Sequence, residues 1–142
     1  MRRIITPDRL ELSDNIVHIG GMPSNKQGTI MSIEESSVGG VKVTAIVGRL
    51  DSVTSSTYET ALLALLNDGR RGMVVDLAGV DYLSSAGIRV LLVLFKRASD
   101  AKVSLVVARP QAHVAEILEI AGLDDILTIY PSTEEAAQAI AN

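Results

Sequence analysis

The stretch Val74-Val75-Asp76-Leu77-Ala78-Gly79-Val80-Asp81-Tyr82-Leu83-Ser84-Ser85-Ala86-Gly87-Ile88-Arg89-Val90-Leu91-Leu92 changes its hydrophobic period partway along. Val74 to Leu77 reads as a short, buried strand bounded by turn residues. From Ile88 the apolar positions are Ile88, Leu91, Leu92 and Phe95, the i, i+3, i+4, i+7 spacing of a helix face. Ser84 and Ser85 stand between the two patterns, where serine is a favoured N-cap. Two hydroxyls are therefore expected at the positive end of a helix dipole, beside backbone N–H groups that lack helical partners.

The elements on either side make this junction part of an α/β layer fold. Ile30 to Ser36 alternates roughly, Ser37-Val38-Gly39-Gly40 has hairpin-turn chemistry, and Val41 to Leu50 places Val43, Ala45 and Val47 on one face. An antiparallel hairpin is predicted here. Asp51 to Ser56 is dense in capping residues, and the Ser56/Glu59 spacing suits a capping box. The following helix would bury Ala61, Leu62, Leu65 and Leu66 and stop at Asn67-Asp68-Gly69. Gly72 to Leu77 is unbroken enough to be covered on both faces. After the serines, the second helix should reach about Ser99, and Lys102 to Ala108 is another strand. Pro110 suits the first turn of a third helix with a face of Val114, Ile117, Leu118 and Ala121, closed by Gly122. Ile126 to Tyr130 reads as a short strand, and Ser132 with Glu135 caps a last, alanine-rich helix. A hairpin followed by strand–helix alternation implies a mixed central sheet with helices packed on it.

Residues 1–28 are the least legible. Ile16-Val17-His18-Ile19 could form a strand, and Gly20 to Gly28 has linker composition. The segment reads either as a partly disordered extension or as an extra strand or arm used in self-association, which would make the chain a homodimer. Residues 29–142 form the expected single domain.

Composition removes several functions. At 142 residues, 47% hydrophobic and 21% charged, the chain is ordinary for one globular domain. A net charge of −4 leaves no broad basic field for a phosphate backbone, and three Tyr, one Phe and no Trp leave little to stack on bases. Nucleic acid is therefore not an expected partner. With no cysteine, disulfides, thiolate metal sites and cysteine nucleophiles are excluded. No wholly apolar run is longer than Val90 to Phe95, which is too short to cross a bilayer, and Met1-Arg2-Arg3 is followed by alternation rather than a secretory apolar region. A soluble cytoplasmic protein without a membrane partner is expected.

Catalytic patterns are poorly matched. A nucleophile elbow needs glycine two positions on each side of its serine, whereas Leu83 and Gly87 flank Ser85. His18 and His113 both lie far from the serine turn in sequence. No phosphate-cradling Gly-Lys-Ser/Thr loop occurs, and Asp76 with Asp81 is a weak metal signal. No enzyme activity, cofactor or metal is expected. For the serine turn itself two readings stay open. It is a plain helix cap with Gly87 packed closely, or it presents an exposed hydroxyl whose phosphorylation would add about −1.5 to −2 charges and repel a docked partner.

The chain resembles STAS-domain proteins, the family named for sulphate transporters and anti-sigma factor antagonists. The resemblance runs from about Ile30 to Asn142. It rests on Gly48-Arg49-Leu50-Asp51, Val74 to Val80, Ser84 to Leu92, Ala121-Gly122-Leu123 and Ser132 to Ala136, in that order. It implies a STAS-like fold and, for stand-alone bacterial members, an anti-sigma factor antagonist in stress-response or transcription signalling. In such members a loop serine is phosphorylated by a serine kinase that is also the anti-sigma factor, and a PP2C-type phosphatase reverses this. The unphosphorylated form binds the kinase and frees the sigma factor. Matched residue by residue, Ser85 is the phosphorylation site with Ser84 in reserve. Asp51, Ser84, Ser85, Ala86, Gly87 and Arg89 form the partner surface, extended along the second helix by Lys96 and Arg97. The loop aspartate that many members carry is missing. The alternative within the family is a constitutive STAS scaffold subunit of a signalling or transport complex.

Overall fold

A computed structural model describes residues 3–4, 32–67 and 72–141. Six strands form one sheet in chain order: β1 (Arg3–Ile4), β2 (Ser32–Val38), β3 (Val41–Leu50), β4 (Gly72–Leu83), β5 (Ser104–Ala108) and β6 (Ile129–Tyr130). The first three are antiparallel neighbours, and β3 through β6 run parallel. Helices α1 (Ser55–Asn67), α2 (Ser85–Asp100), α3 (Ala112–Ile120) and α4 (Thr133–Ala141) complete the α/β layers. The expected mixed sheet is present.

Gly39 and Gly40, with φ of 56° and 83°, make the two-residue hairpin turn between β2 and β3. Positive φ at both central positions matches the twist of the flanking strands, and glycine adopts it without a Cβ penalty. Alternation along the strands then sorts side chains into two cores. Ile33, Ile46, Met73, Val75 and Val107 pack with Tyr58 and Leu62 of α1, Leu91 and Leu94 of α2, and Val114 and Leu118 of α3. On the opposite face Val41, Val43, Val74 and Ala108 pack against Ala136 and Ala137 of α4. Both faces of β4 and β5 are thus covered, as their apolar runs require.

Several boundaries differ from the sequence expectation. The strand expected to end at Leu77 continues to Leu83, directly abutting α2. It remains paired with β3 throughout, but irregularly: from Ala45↔Asp76 to Leu50↔Leu83, β3 advances five residues and β4 seven. Pro110 lies ahead of α3, whose N-cap is Gln111, so the proline precedes the helix rather than opening it. Ala121 is an exposed C-cap residue rather than part of the buried face. Ile126 to Thr128 lead out of a 3₁₀ turn, Leu123–Asp125, and only Ile129–Tyr130 pair as strand. Ser56 stands inside the first turn of α1, since the helix begins at Ser55. Its entry is organised instead by Asp51 and Thr54. The Ser132 cap is present, with the Glu135 amide donating to Ser132 Oγ at 3.1 Å. The expected strand Ile16–Ile19, the linker after it and the Asp68-Gly69 stop all lie outside the described residues.

Tyr58 ties α1 to the irregular part of the sheet. It is fully buried, and its hydroxyl donates to the Val47 carbonyl, where the β3/β4 register shifts. Burial pushes the phenol pKa far up, keeping it a neutral donor. Tyr58→Phe should leave that carbonyl without its buried partner and lower unfolding stability by about 1–3 kcal/mol, measured by urea titration with an unchanged m-value.

Candidate functional site

The carboxyl ends of β3 and β4 converge on the serine junction. Ser84 has extended backbone, φ −95° and ψ 178°, and is the N-cap of α2. Its Oγ accepts from the amides of Ala86 at 3.2 Å and Gly87 at 3.4 Å, two of the otherwise unpartnered donors at a helix start. Its own amide and hydroxyl both donate to the Leu50 carbonyl, at 3.0 and 3.3 Å. Ser85 is the first helical residue and is exposed. The two hydroxyls therefore differ: one is held within the cap, and the other faces outward.

Gly87 is buried beneath the turn. A Cβ there would stand 2.5 Å from the Leu50 carbonyl oxygen and 2.6 Å from Leu83 Cδ1. The residue is needed for this close approach of α2 to β3. Gly87→Ala should lower stability by about 1–3 kcal/mol, since backbone as well as side chain must shift; thermal unfolding would register it.

Asp51 follows the last residue of β3 and shapes the next turn. Its Oδ1 accepts from the amides of Val53 at 2.9 Å and Thr54 at 3.1 Å, while its amide donates to Thr54 Oγ1 at 3.0 Å. Arg49 Nε lies 3.3 Å from Oδ2. Desolvation pushes the carboxyl's pKa up, but the bonds from Thr54 and Val53, joined by Arg49, outweigh it and hold the pKa below the usual aspartate value. The Arg49 guanidinium also stacks over the Tyr82 ring at 4.3 Å, joining the Asp51 turn to the end of β4.

Beside the turn, a groove of about 530 Å³ runs between α1 and α2 and is lined by Ser55, Ser56, Glu59, Ser85, Ala86, Arg89, Val90 and Val93. Of the predicted partner residues, Ser85, Ala86 and Arg89 share this groove. Asp51 follows Leu50 in the chain, and Ser84 is bonded to the Leu50 carbonyl. Lys96 and Arg97 are exposed farther along α2 and do not line the groove. His113 Nε2 lies 2.8 Å from the Asp81 carbonyl, so its contact is with β4 backbone. His18 is outside the described residues.

Sequence reasoning did not find Arg49, Val53, Tyr82 or the α1 wall of the groove. Val53 is 73% exposed and Tyr82 41%, two large apolar side chains flanking the Asp51 turn. An apolar residue among Asp51, Ser52 and Thr54, with no periodic partner, was the available signal. Among the described residues no helix is long and apolar enough to cross a membrane, and no group of three or more acidic or histidine side chains could hold a metal.

The Asp51 titration gives a pH signature. A carboxyl titrating lower in the folded state contributes stability fully present above its unfolded pKa, about 3.9, and lost as pH falls through the folded value. Asp51→Asn should therefore cost stability at neutral pH. The gap between variant and parent should close below about pH 4, as followed by calorimetry.

Comparison with known proteins agrees with this geometry. A profile described as STAS domain matches residues 32–136. A Bordetella bronchiseptica protein, BtrV, described as a candidate anti-sigma factor antagonist, is 33% identical over 109 residues, spanning 77% of this chain and 94% of its own. The anti-sigma-F factor antagonist RsfB of Mycobacterium tuberculosis is 27% identical over 101 residues, 71% of this chain and 82% of its own. Among solved structures, an anti-sigma factor antagonist from Mycobacterium paratuberculosis superposes with a TM-score of 0.72 at 23% identity, covering 85% of this chain and 98% of that one. The unphosphorylated form of the anti-sigma factor antagonist SpoIIAA gives 0.63 at 14% identity, covering 77% and 96%. By its fold, its serine-capped junction and the extent of these matches, the chain belongs to the STAS-domain family.

Proposed function

We propose that this protein is an anti-sigma factor antagonist controlled by phosphorylation of Ser85. The observation that carries the reading is the division between adjacent serines. Ser84 supplies the cap, which leaves Ser85 exposed at the first position of α2 and at the mouth of the α1–α2 groove. A kinase can reach that hydroxyl without unwinding the helix. The relatives BtrV and RsfB, with the names they carry, support the same role for this chain.

The mechanism is electrostatic. In the unphosphorylated state an anti-sigma factor serine kinase docks over the Asp51 turn, Ser84, Ser85 and Ala86, with Arg89 beside them, and releases its sigma factor. A phosphate on Ser85 brings about −1.5 to −2 charges. The α2 dipole tolerates it locally, but a docked partner would bury an unmatched dianion. A PP2C-type phosphatase restores the binding form. The protein itself acts as a cytoplasmic binding component, not an enzyme, and its STAS domain occupies residues 29–142.

Incubation with a kinase encoded beside this gene and ATP should retard the protein on phosphate-affinity electrophoresis, and Ser85→Ala should abolish the shift. Ser85→Asp should weaken binding to that kinase more than tenfold, above 1.4 kcal/mol, by titration calorimetry. No shift with any such kinase, or an unchanged affinity, points to the constitutive scaffold instead.

A further inference from the structure

Backbone pairing between β4 and β5 ends at Asp76↔Ala108, yet β4 continues to Leu83. Past that point, alternate residues of the segment leaving β5 reach back to β4 through their side chains. Arg109 donates Nε to Asp76 Oδ1 at 3.2 Å and Nη2 to Oδ2 at 2.6 Å. Gln111 Nε2 donates to the Ala78 carbonyl at 2.9 Å. His113 Nε2 lies 2.8 Å from the Asp81 carbonyl, and because a carbonyl only accepts, that nitrogen carries the proton.

Two of these acceptors sit where β4 is irregular. The register against β3 jumps from Asp76 to Gly79, a step containing Ala78, and from Val80 to Tyr82, a step containing Asp81. Such bulges leave an extra residue outside the ladder and re-aim the strand beyond it. Asp76 reinforces the first, since its Oδ1 accepts the Ala78 amide at 3.0 Å.

The contributing segment bears the mark of this arrangement. Gln111 is the N-cap of α3 yet makes no capping bond, and glutamine is not a favoured residue there. Arg109 holds φ at 56°, a conformation uncommon for a residue with a Cβ. Both features set local preference aside in favour of contacts to β4.

We infer that Gln111 and His113 are positioning residues for the serine turn: they fasten the two bulges that set the direction in which β4 delivers Ser84 and Ser85 to the surface. Their importance for docking rests on the partner-switching reading, whereas the positioning itself does not. The hydrogen bonds of both side chains end on the β4 backbone, so both act through that strand.

Amide hydrogen exchange on the full-length protein tests this. Gln111→Met with His113→Leu keeps side-chain bulk and removes both donors. The amides of Ser84, Ala86 and Gly87, whose bonds to Leu50 O and Ser84 Oγ define the turn, should exchange about fivefold to tenfold faster. Those of Val74 and Val107, in the β3–β5 core, should keep their rates. Restoring a donor with His113→Gln on the Gln111→Met background should return much of the protection. Unchanged turn amides would overturn the proposal, and so would equal acceleration throughout, which marks a purely structural clasp. If the double variant does not fold, Gln111→Met alone is read at the same amides by the same criteria. No kinase or phosphate enters the measurement, so its failure and that of the partner-switching reading are separable.

Discussion

The carbonyl oxygen of Leu50 is the point at which the site is tied to the sheet. Leu50 is fully buried at the end of β3, and its oxygen receives both the amide and the hydroxyl of Ser84. A buried carbonyl without a partner would be costly, so this contact constrains everything around it. It fixes where α2 begins, and it requires glycine at position 87, because the helix passes too close to the same oxygen for a Cβ. It also joins the Asp51 turn, one residue further on, to the serine turn. Functional surfaces in open α/β sheets tend to gather beyond the carboxyl ends of parallel strands. Here two such ends are clamped to one another by a single acceptor.

That clamp explains how two chemically identical neighbours acquire different surroundings. Ser84 can satisfy helix amides only by turning its oxygen inward, where it also meets Leu50. Ser85, already helical, projects its hydroxyl outward. The distinction comes from one step of helix phase, and it needs no difference in the side chains. Asp51 plays an equally fixed part. Its carboxylate is engaged by two amides and Arg49, and Arg49 in turn covers Tyr82. The surface around the exposed hydroxyl is therefore held rigid by polar contacts on both sides.

Much of this was legible in the sequence because it follows from local pattern. The Gly39-Gly40 turn, the alternation of β3 and the change of period at Ser84 each depend on residues close in the chain. The extent of β4 was not legible. Ala78-Gly79-Val80-Asp81-Tyr82 carries turn-forming residues, and only pairing with β3, supported by Gln111 and His113, keeps it extended. The expected cap of α1 failed for a related reason. Ser56 and Glu59 have the right spacing, but Asp51 and Thr54 organise the entry to α1 because Arg49 and the end of β3 hold them there. The stack of Arg49 on Tyr82 depends on the bulged register that pairs them, which no one-dimensional period encodes.

In the proposed switch, the magnitudes decide where the phosphate acts. An anion in the first turn of an exposed helix gains roughly 0.3–1 kcal/mol from the dipole. Desolvating an unpaired charge at an interface costs several kcal/mol. The intramolecular effect is thus small and favourable, while the intermolecular one is large and opposed. Nothing in the fold needs to move for affinity to collapse, and the clamp at Leu50 ensures that little does. Arg89, one turn along α2 from Ser85 and in the same groove, strengthens the asymmetry, because a cation beside the modified residue eases the free state of the protein. A partner that relied on Arg89 for its own acidic group would then face both a repelling phosphate and a cation already engaged. In that proposed switch, the rigidity that would suit the unphosphorylated surface to docking would leave the phosphorylated one unable to relax around its charge.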